Sequence, residues 1–126
     1  MEDNNIWEKA VKATKKNNLQ ALKIAGGWSV KWNHFVAANP LQMDENDSAW
    51  IDFSEDMALF LSGEYTIDLG WYGGLNKNGY YGVSLYKNKD TIGTLCSNDL
   101  DKVTDALNYF FQSLFNSIKL LQQLLC

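Results

Sequence analysis

Hydrophobic residues change their spacing twice along the chain, from a helical repeat near the N-terminus to alternation in the middle and back to a helical repeat at the end. In the first stretch Trp7, Ala10, Val11 and Thr14 share one face, opposite Lys9, Lys12 and Lys16. Asn5, with Glu8 three residues on, has the form of a capping box, so a helix is predicted from about Asn5 to Lys16. Leu19 to Ala25 fits a second helical piece or a strand, and Gly26-Gly27 ends it in either case.

From Trp28 the period becomes two. Trp28, Val30, Trp32, His34 and Val36 alternate with Ser29, Lys31, Asn33 and Phe35, which predicts a half-buried strand. Pro40 closes the stretch that follows, and Gln42 to Ser48 reads as a polar, acidic loop. Ala49 to Phe53 and Met57 to Ser62 are short strand candidates. After Gly63, Tyr65, Ile67, Leu69 and Trp71 alternate with Glu64, Thr66, Asp68 and Tyr72, and the apolar set is expected to point inward. Asn78-Gly79 is a favoured turn pair between strand-like runs, because both positions tolerate positive φ; it predicts a hairpin whose second strand is Tyr80 to Tyr86. Lys87 to Asp90 then leads to a shorter strand, Thr91 to Leu95, which extends an antiparallel meander.

The last element carries the most regular helical pattern. Asn98 and Asp99 supply a cap, and Leu100, Val103, Leu107, Phe110, Leu114, Ile118, Leu121 and Leu125 recur at helical spacing. Phe111, Phe115, Leu120 and Leu124 widen the apolar arc beyond what one sheet covers, so a second element or a second copy of the chain is expected there, the latter as a homodimer. The chain as a whole is read as a single α+β domain over 1–126. Its expected core is an antiparallel sheet of about four to six strands flanked by N-terminal and C-terminal helices.

Composition fits that reading. A chain of 126 residues with 13% aromatics can bury a core without metal or disulfide. The N-terminus is acidic and polar, unlike a signal peptide, and polar residues from Asn108 to Gln123 interrupt the longest apolar stretch. A cytoplasmic location without membrane insertion is expected. There, Cys96 and Cys126 are expected to stay unpaired, with Cys96 buried as a small apolar residue.

Charge is distributed unevenly. Every basic residue is a lysine, and none lies between Lys31 and Lys77, where eight acids fall: Asp44, Glu45, Asp47, Asp52, Glu55, Asp56, Glu64 and Asp68. Such a field repels phosphate, and the chain lacks the arginine that best recognises phosphates and bases, so nucleic acid is an unfavoured partner. Catalytic signals are also missing. His34 is the only histidine, neither cysteine belongs to a C-x-x-C pair, and no phosphate-binding glycine motif opens a helix. No catalytic residue, metal or cofactor is therefore expected. Asp52, Glu64 and Asp68 could approach one another across strands as an acid–base pair, but their spacing supports no particular pairing.

Tyr65-Thr66-Ile67-Asp68-Leu69-Gly70-Trp71-Tyr72-Gly73, followed by the turn and Tyr80-Tyr81-Gly82-Val83-Ser84-Leu85, resembles hairpins in bacterial immunity proteins. Those proteins accompany polymorphic and contact-dependent growth inhibition toxins. The resemblance implies a toxin inhibitor that acts by stoichiometric protein binding, its cognate toxin a basic nuclease. On that reading the eight acids steer the encounter, and Trp71 and Tyr72 serve as anchors. The alternative is a small-ligand-binding or enzymatic α+β domain whose aromatic sheet lines a pocket.

Overall fold

The computed structural model describes residues 18–113, so the helix expected near the N-terminus and the end of the last helix lie outside the described residues. Five strands, β1 (Ser29–Asn33), β2 (Ala58–Ser62), β3 (Tyr65–Tyr72), β4 (Tyr80–Lys87) and β5 (Asp90–Ser97), lie side by side in chain order. Every neighbouring pair is antiparallel, and α1 (Leu100–Gln112) follows the last strand. The expected α+β class and antiparallel meander are present.

Two tight turns hold the meander together. Ser62 pairs with Tyr65 across Gly63, and Lys87 with Asp90 across Asn88. Both turn residues take positive φ, 57° and 54°, which glycine and asparagine tolerate better than other residues. The β3–β4 connection differs from the expected Asn78-Gly79 turn. Tyr72 does pair with Tyr80, but positive φ falls at Gly73 and Gly74, and the loop is wider. Gly79 matters there because it is small: a Cβ would lie 2.6 Å from the Trp71 ring and 2.7 Å from the Gly74 carbonyl oxygen.

Three other segments depart from their patterns for local reasons. Ala49 to Phe53 is not a strand, because Ser48–Asp52 forms a 3₁₀ helix capped by Asp47, whose carboxylate accepts from the Ala49 N–H at 3.0 Å. β1 ends at Asn33, well before Val36, and carries a bulge: Val30 pairs with Phe60 while Trp32 pairs with Leu59. The extra residue puts Val30 and Trp32 on opposite faces, where simple alternation put them together. β5 runs further than expected, to Ser97, and this brings Cys96 onto an exposed position. Cys96 is also disulfide-bonded, contrary to its expected burial as a free thiol; the chain's other cysteine lies outside the described residues.

Cross-strand partners share a face, so the register assigns each side of the sheet. One face carries Ala58 and Phe60, Ile67, Leu69 and Trp71, and Tyr81, Val83 and Leu85, all buried. α1 covers it with Leu100, Val103, Leu107, Phe110 and Phe111, after starting at Asp99, whose carboxylate accepts from the Asp101 N–H at 3.1 Å. Phe111, for which the sequence pattern predicts cover by a second element or a second copy of the chain, is packed within the chain, edge to face against Trp28 at 5.4 Å and Phe60 at 4.9 Å. Phe35, Trp50 and Phe53 from the long β1–β2 connection close the other end over Trp71 and Tyr81.

Tyr81 sits at the centre of that aromatic group with its hydroxyl buried and unpaired. Burial raises its pKa well above the usual phenol value, and the charge of Asp99 adds to the shift. A buried hydroxyl without a partner costs about 1–3 kcal/mol, whereas the ring alone keeps all of its contacts. Tyr81→Phe should therefore leave stability unchanged or raise it by up to about 1 kcal/mol, read as a higher urea midpoint at constant slope. A clear loss would mean that the hydroxyl is satisfied.

Candidate functional site

The second face of the sheet is polar and partly open. Leu59, Asp68, Ser84 and Thr94 form one row across β2 to β5, Gly70, Gly82 and Cys96 form the next, and Tyr72 pairs with Tyr80 at the end. The Ser84 and Thr94 hydroxyls hydrogen-bond at 2.9 Å. Trp32, 42% exposed, joins this face beside Leu59, and Tyr80 is 41% exposed. Trp32 and Tyr80 are held by the sheet but remain available to a partner.

Two glycines shape its middle. The Trp71 N–H donates to the Ser54 carbonyl at 2.7 Å and the Met57 N–H to the Leu69 carbonyl at 3.0 Å, so Ser54 to Met57 runs alongside β3. A Cβ at Gly70 would clash with the Glu55 carbonyl oxygen and lie 2.8 Å from the Tyr72 hydroxyl. Gly82, the cross-strand partner of Gly70, leaves room for the Tyr72 ring, whose nearest carbon is 3.0 Å from where a Cβ would stand. The glycine pair thus lets Tyr72 lie across the sheet and brings its hydroxyl towards Glu55. A shallow hollow of about 280 Å³, lined by Tyr72, Tyr80, Gly82, Ser84, Thr94 and Cys96, adjoins the ring.

The electrostatics are one-sided. Partial burial raises the Asp68 pKa, with Asp56 adding to it. Burial likewise raises that of Tyr72, helped by Asp68, Glu55, Tyr86 and Asp56 in that order. Among the described residues the one ion pair is Lys87–Glu64 at 3.9 Å, and no described lysine pairs with Glu55, Asp56 or Asp68. Among those residues the cluster is a patch of negative charge around a tyrosine.

The raised Asp68 pKa has a consequence for stability. Its contribution is fully present below the unfolded pKa, near 4, and is lost as pH rises through the higher folded value. Asp68→Asn should therefore raise the urea midpoint at pH 7 and lose that advantage near pH 3.5. Because the carboxylate is partly solvated, the gain should stay below about 1 kcal/mol. An identical difference at the two pH values would contradict the assignment.

The expected binding residues are distributed over several places. Glu55, Asp56, Asp68 and Tyr72 come together. Asp44 and Glu45 line a groove beside the β3–β4 loop, and Asp47 serves as a cap. Asp52 is half-buried, with Oδ2 shielded and unpaired. Glu64 sits at the opposite end of β3, roughly 25 Å from Tyr72 by strand rise. Trp71 is 3% exposed and packed in the core, its indole N–H donating to the Gly74 carbonyl at 2.7 Å, so it is not an accessible anchor.

The sequence reading passed over Tyr80 and the Gly70–Gly82 pair. Alternation alone could have placed Gly70 between Asp68 and Tyr72 on the polar face, but the pairing with Gly82 needed the register. His34 is exposed, its backbone N–H donating to the Met57 carbonyl, and no group of metal-ligating side chains occurs among the described residues. Nor does any helix among them have the length and apolarity to cross a membrane. Compared with protein-family models, curated proteins and solved structures, the chain shows no match.

Proposed function

We propose that this chain is an immunity-type inhibitor that binds a basic protein, such as a nuclease toxin, through the open face of its sheet. The observation that carries the reading is the Glu55, Asp56 and Asp68 cluster around Tyr72, with no lysine paired to it among the described residues. Burial raises the pKa of Asp68 and of Tyr72, the neighbouring carboxylates add to both shifts, and an arriving lysine or arginine would relieve that local negative potential. Tyr72 and Tyr80, 6.0 Å apart and inclined at 31°, offer aromatic surface beside that charge. Inhibition then requires only occupancy: the toxin's basic substrate-binding surface is covered, and no chemistry is asked of the inhibitor.

The test is to co-express the chain with the protein encoded immediately upstream of it and to measure growth and complex formation. Growth rescue together with a stoichiometric complex is the expected result. A neighbouring protein that is not toxic, or a toxic one that neither binds nor is neutralised, would sink the proposal.

A further inference from the structure

Away from the open face, loops distant in sequence meet around a groove of about 350 Å³. Met43 and Trp50, both almost fully buried, form its apolar base, and Asp44, Glu45, Asn76, Lys77 and Asn78 supply the polar lining. The groove is preformed. The Trp50 indole N–H donates to the Asp44 carbonyl at 2.7 Å, and the Asn76 carboxamide accepts from the Asn78 N–H at 2.8 Å. Ile51, which follows Trp50, is 81% exposed, and Leu75, which precedes Asn76, is 53% exposed. These are large apolar side chains adjacent in sequence to residues of the groove, and neither contributes to the core.

We infer that this groove docks an extended segment of a protein partner in which a lysine or arginine stands next to an aliphatic side chain. The aliphatic group meets the Met43–Trp50 base and extends towards Ile51 and Leu75 beside it, while the cation meets Asp44 and Glu45, which are exposed and form no ion pair among the described residues. An apolar base with a few polar groups around it is the usual anatomy of a recognition pocket, and the two carboxylates, which outnumber the single Lys77 of the lining, decide the sign of the charge it accepts. This inference does not depend on the open-face proposal, because the groove is built from the loops before β2 and after β3.

The probe is a blocked hexapeptide, Gly-Lys-Leu-Lys-Leu-Gly, titrated into the 15N-labelled full chain and followed by NMR. Saturable shifts are expected at the Trp50 indole N–H and at the Asn76 to Asn78 amides. Asp44→Lys combined with Glu45→Lys should weaken binding tenfold or more, and Ile51→Ser should weaken it severalfold; all three positions are exposed. Because the Asp44 carboxylate accepts from the Asn46 N–H at 2.9 Å, Glu45→Lys alone, expected to weaken binding severalfold, serves as the variant that leaves this turn intact. The inference is overturned if those signals do not move at millimolar peptide, or if Gly-Glu-Leu-Glu-Leu-Gly shifts them equally. It is likewise overturned if the shifts appear only around Tyr72 and Ser84, since the peptide would then be held on the open face.

Discussion

Gly70→Ala is expected to lower the unfolding free energy by about 3 kcal/mol and the melting temperature by roughly 10 °C or more. The added methyl group would clash with the Glu55 carbonyl oxygen and crowd the Tyr72 hydroxyl. A flexible side chain could turn aside, but the Glu55 carbonyl belongs to a backbone segment tied to β3 on both sides by the Trp71–Ser54 and Met57–Leu69 hydrogen bonds. Relief therefore means breaking that pairing or displacing the chain. Gly26→Ala provides the internal comparison, because nothing lies within 4 Å of its would-be Cβ and its φ is not in the left-handed range. It should be neutral or stabilising by up to about 1 kcal/mol through the unfolded state. Urea denaturation of both variants gives the contrast directly; if Gly70→Ala matched Gly26→Ala, the close approach of the Glu55 carbonyl to Gly70 would be wrong.

The same contrast shows what a sequence can and cannot disclose. Alternation in Tyr65 to Tyr72 named the buried set Ile67, Leu69 and Trp71 correctly, because both neighbouring strands lie in register and the period is unbroken. It failed at β1, where one extra residue between Val30 and Trp32 reverses the faces, a displacement that leaves no mark on composition. The helix start at Asp99 was legible since capping is a local hydrogen bond. The Ala49 to Phe53 segment was not, since apolar residues in a short run satisfy a 3₁₀ turn as readily as a strand, and the Asp47 cap decides between them.

For the candidate site, the acidic run was visible but its division was not. Eight carboxylates that are neighbours in sequence are separated by the meander, and only Glu55, Asp56 and Asp68 meet around Tyr72. Glu64 is carried to the far end of β3 by the turn at Gly63. Trp71 and Tyr72 are adjacent and chemically similar, yet strand geometry sends one into the core and the other onto the open face. Residue type made both of them candidates, and register separates them.

That separation sets the last expectation, which concerns binding of a basic partner to the open face. Glu55→Lys and Glu64→Lys change the net charge equally, and both positions are exposed. Charges at physiological salt are screened over about 8 Å, so a reversal roughly 25 Å from Tyr72 should scarcely reach a partner docking there. Glu55→Lys should therefore slow association about threefold to tenfold, and Glu64→Lys should leave it nearly unchanged, in stopped-flow measurements at physiological salt. Adding salt should shrink the difference by slowing association to the native chain. Tyr72→Ala acts through a different step. It removes a ring that would be desolvated in the complex while leaving the charges in place, so dissociation should accelerate about tenfold or more, equivalent to about 1.4 kcal/mol or more, with little change in the association rate. Equal slowing by the two charge reversals would mean that net charge alone steers the partner and that the Tyr72 cluster holds no special place. Unchanged dissociation from the Tyr72→Ala chain would move the interface off this face altogether.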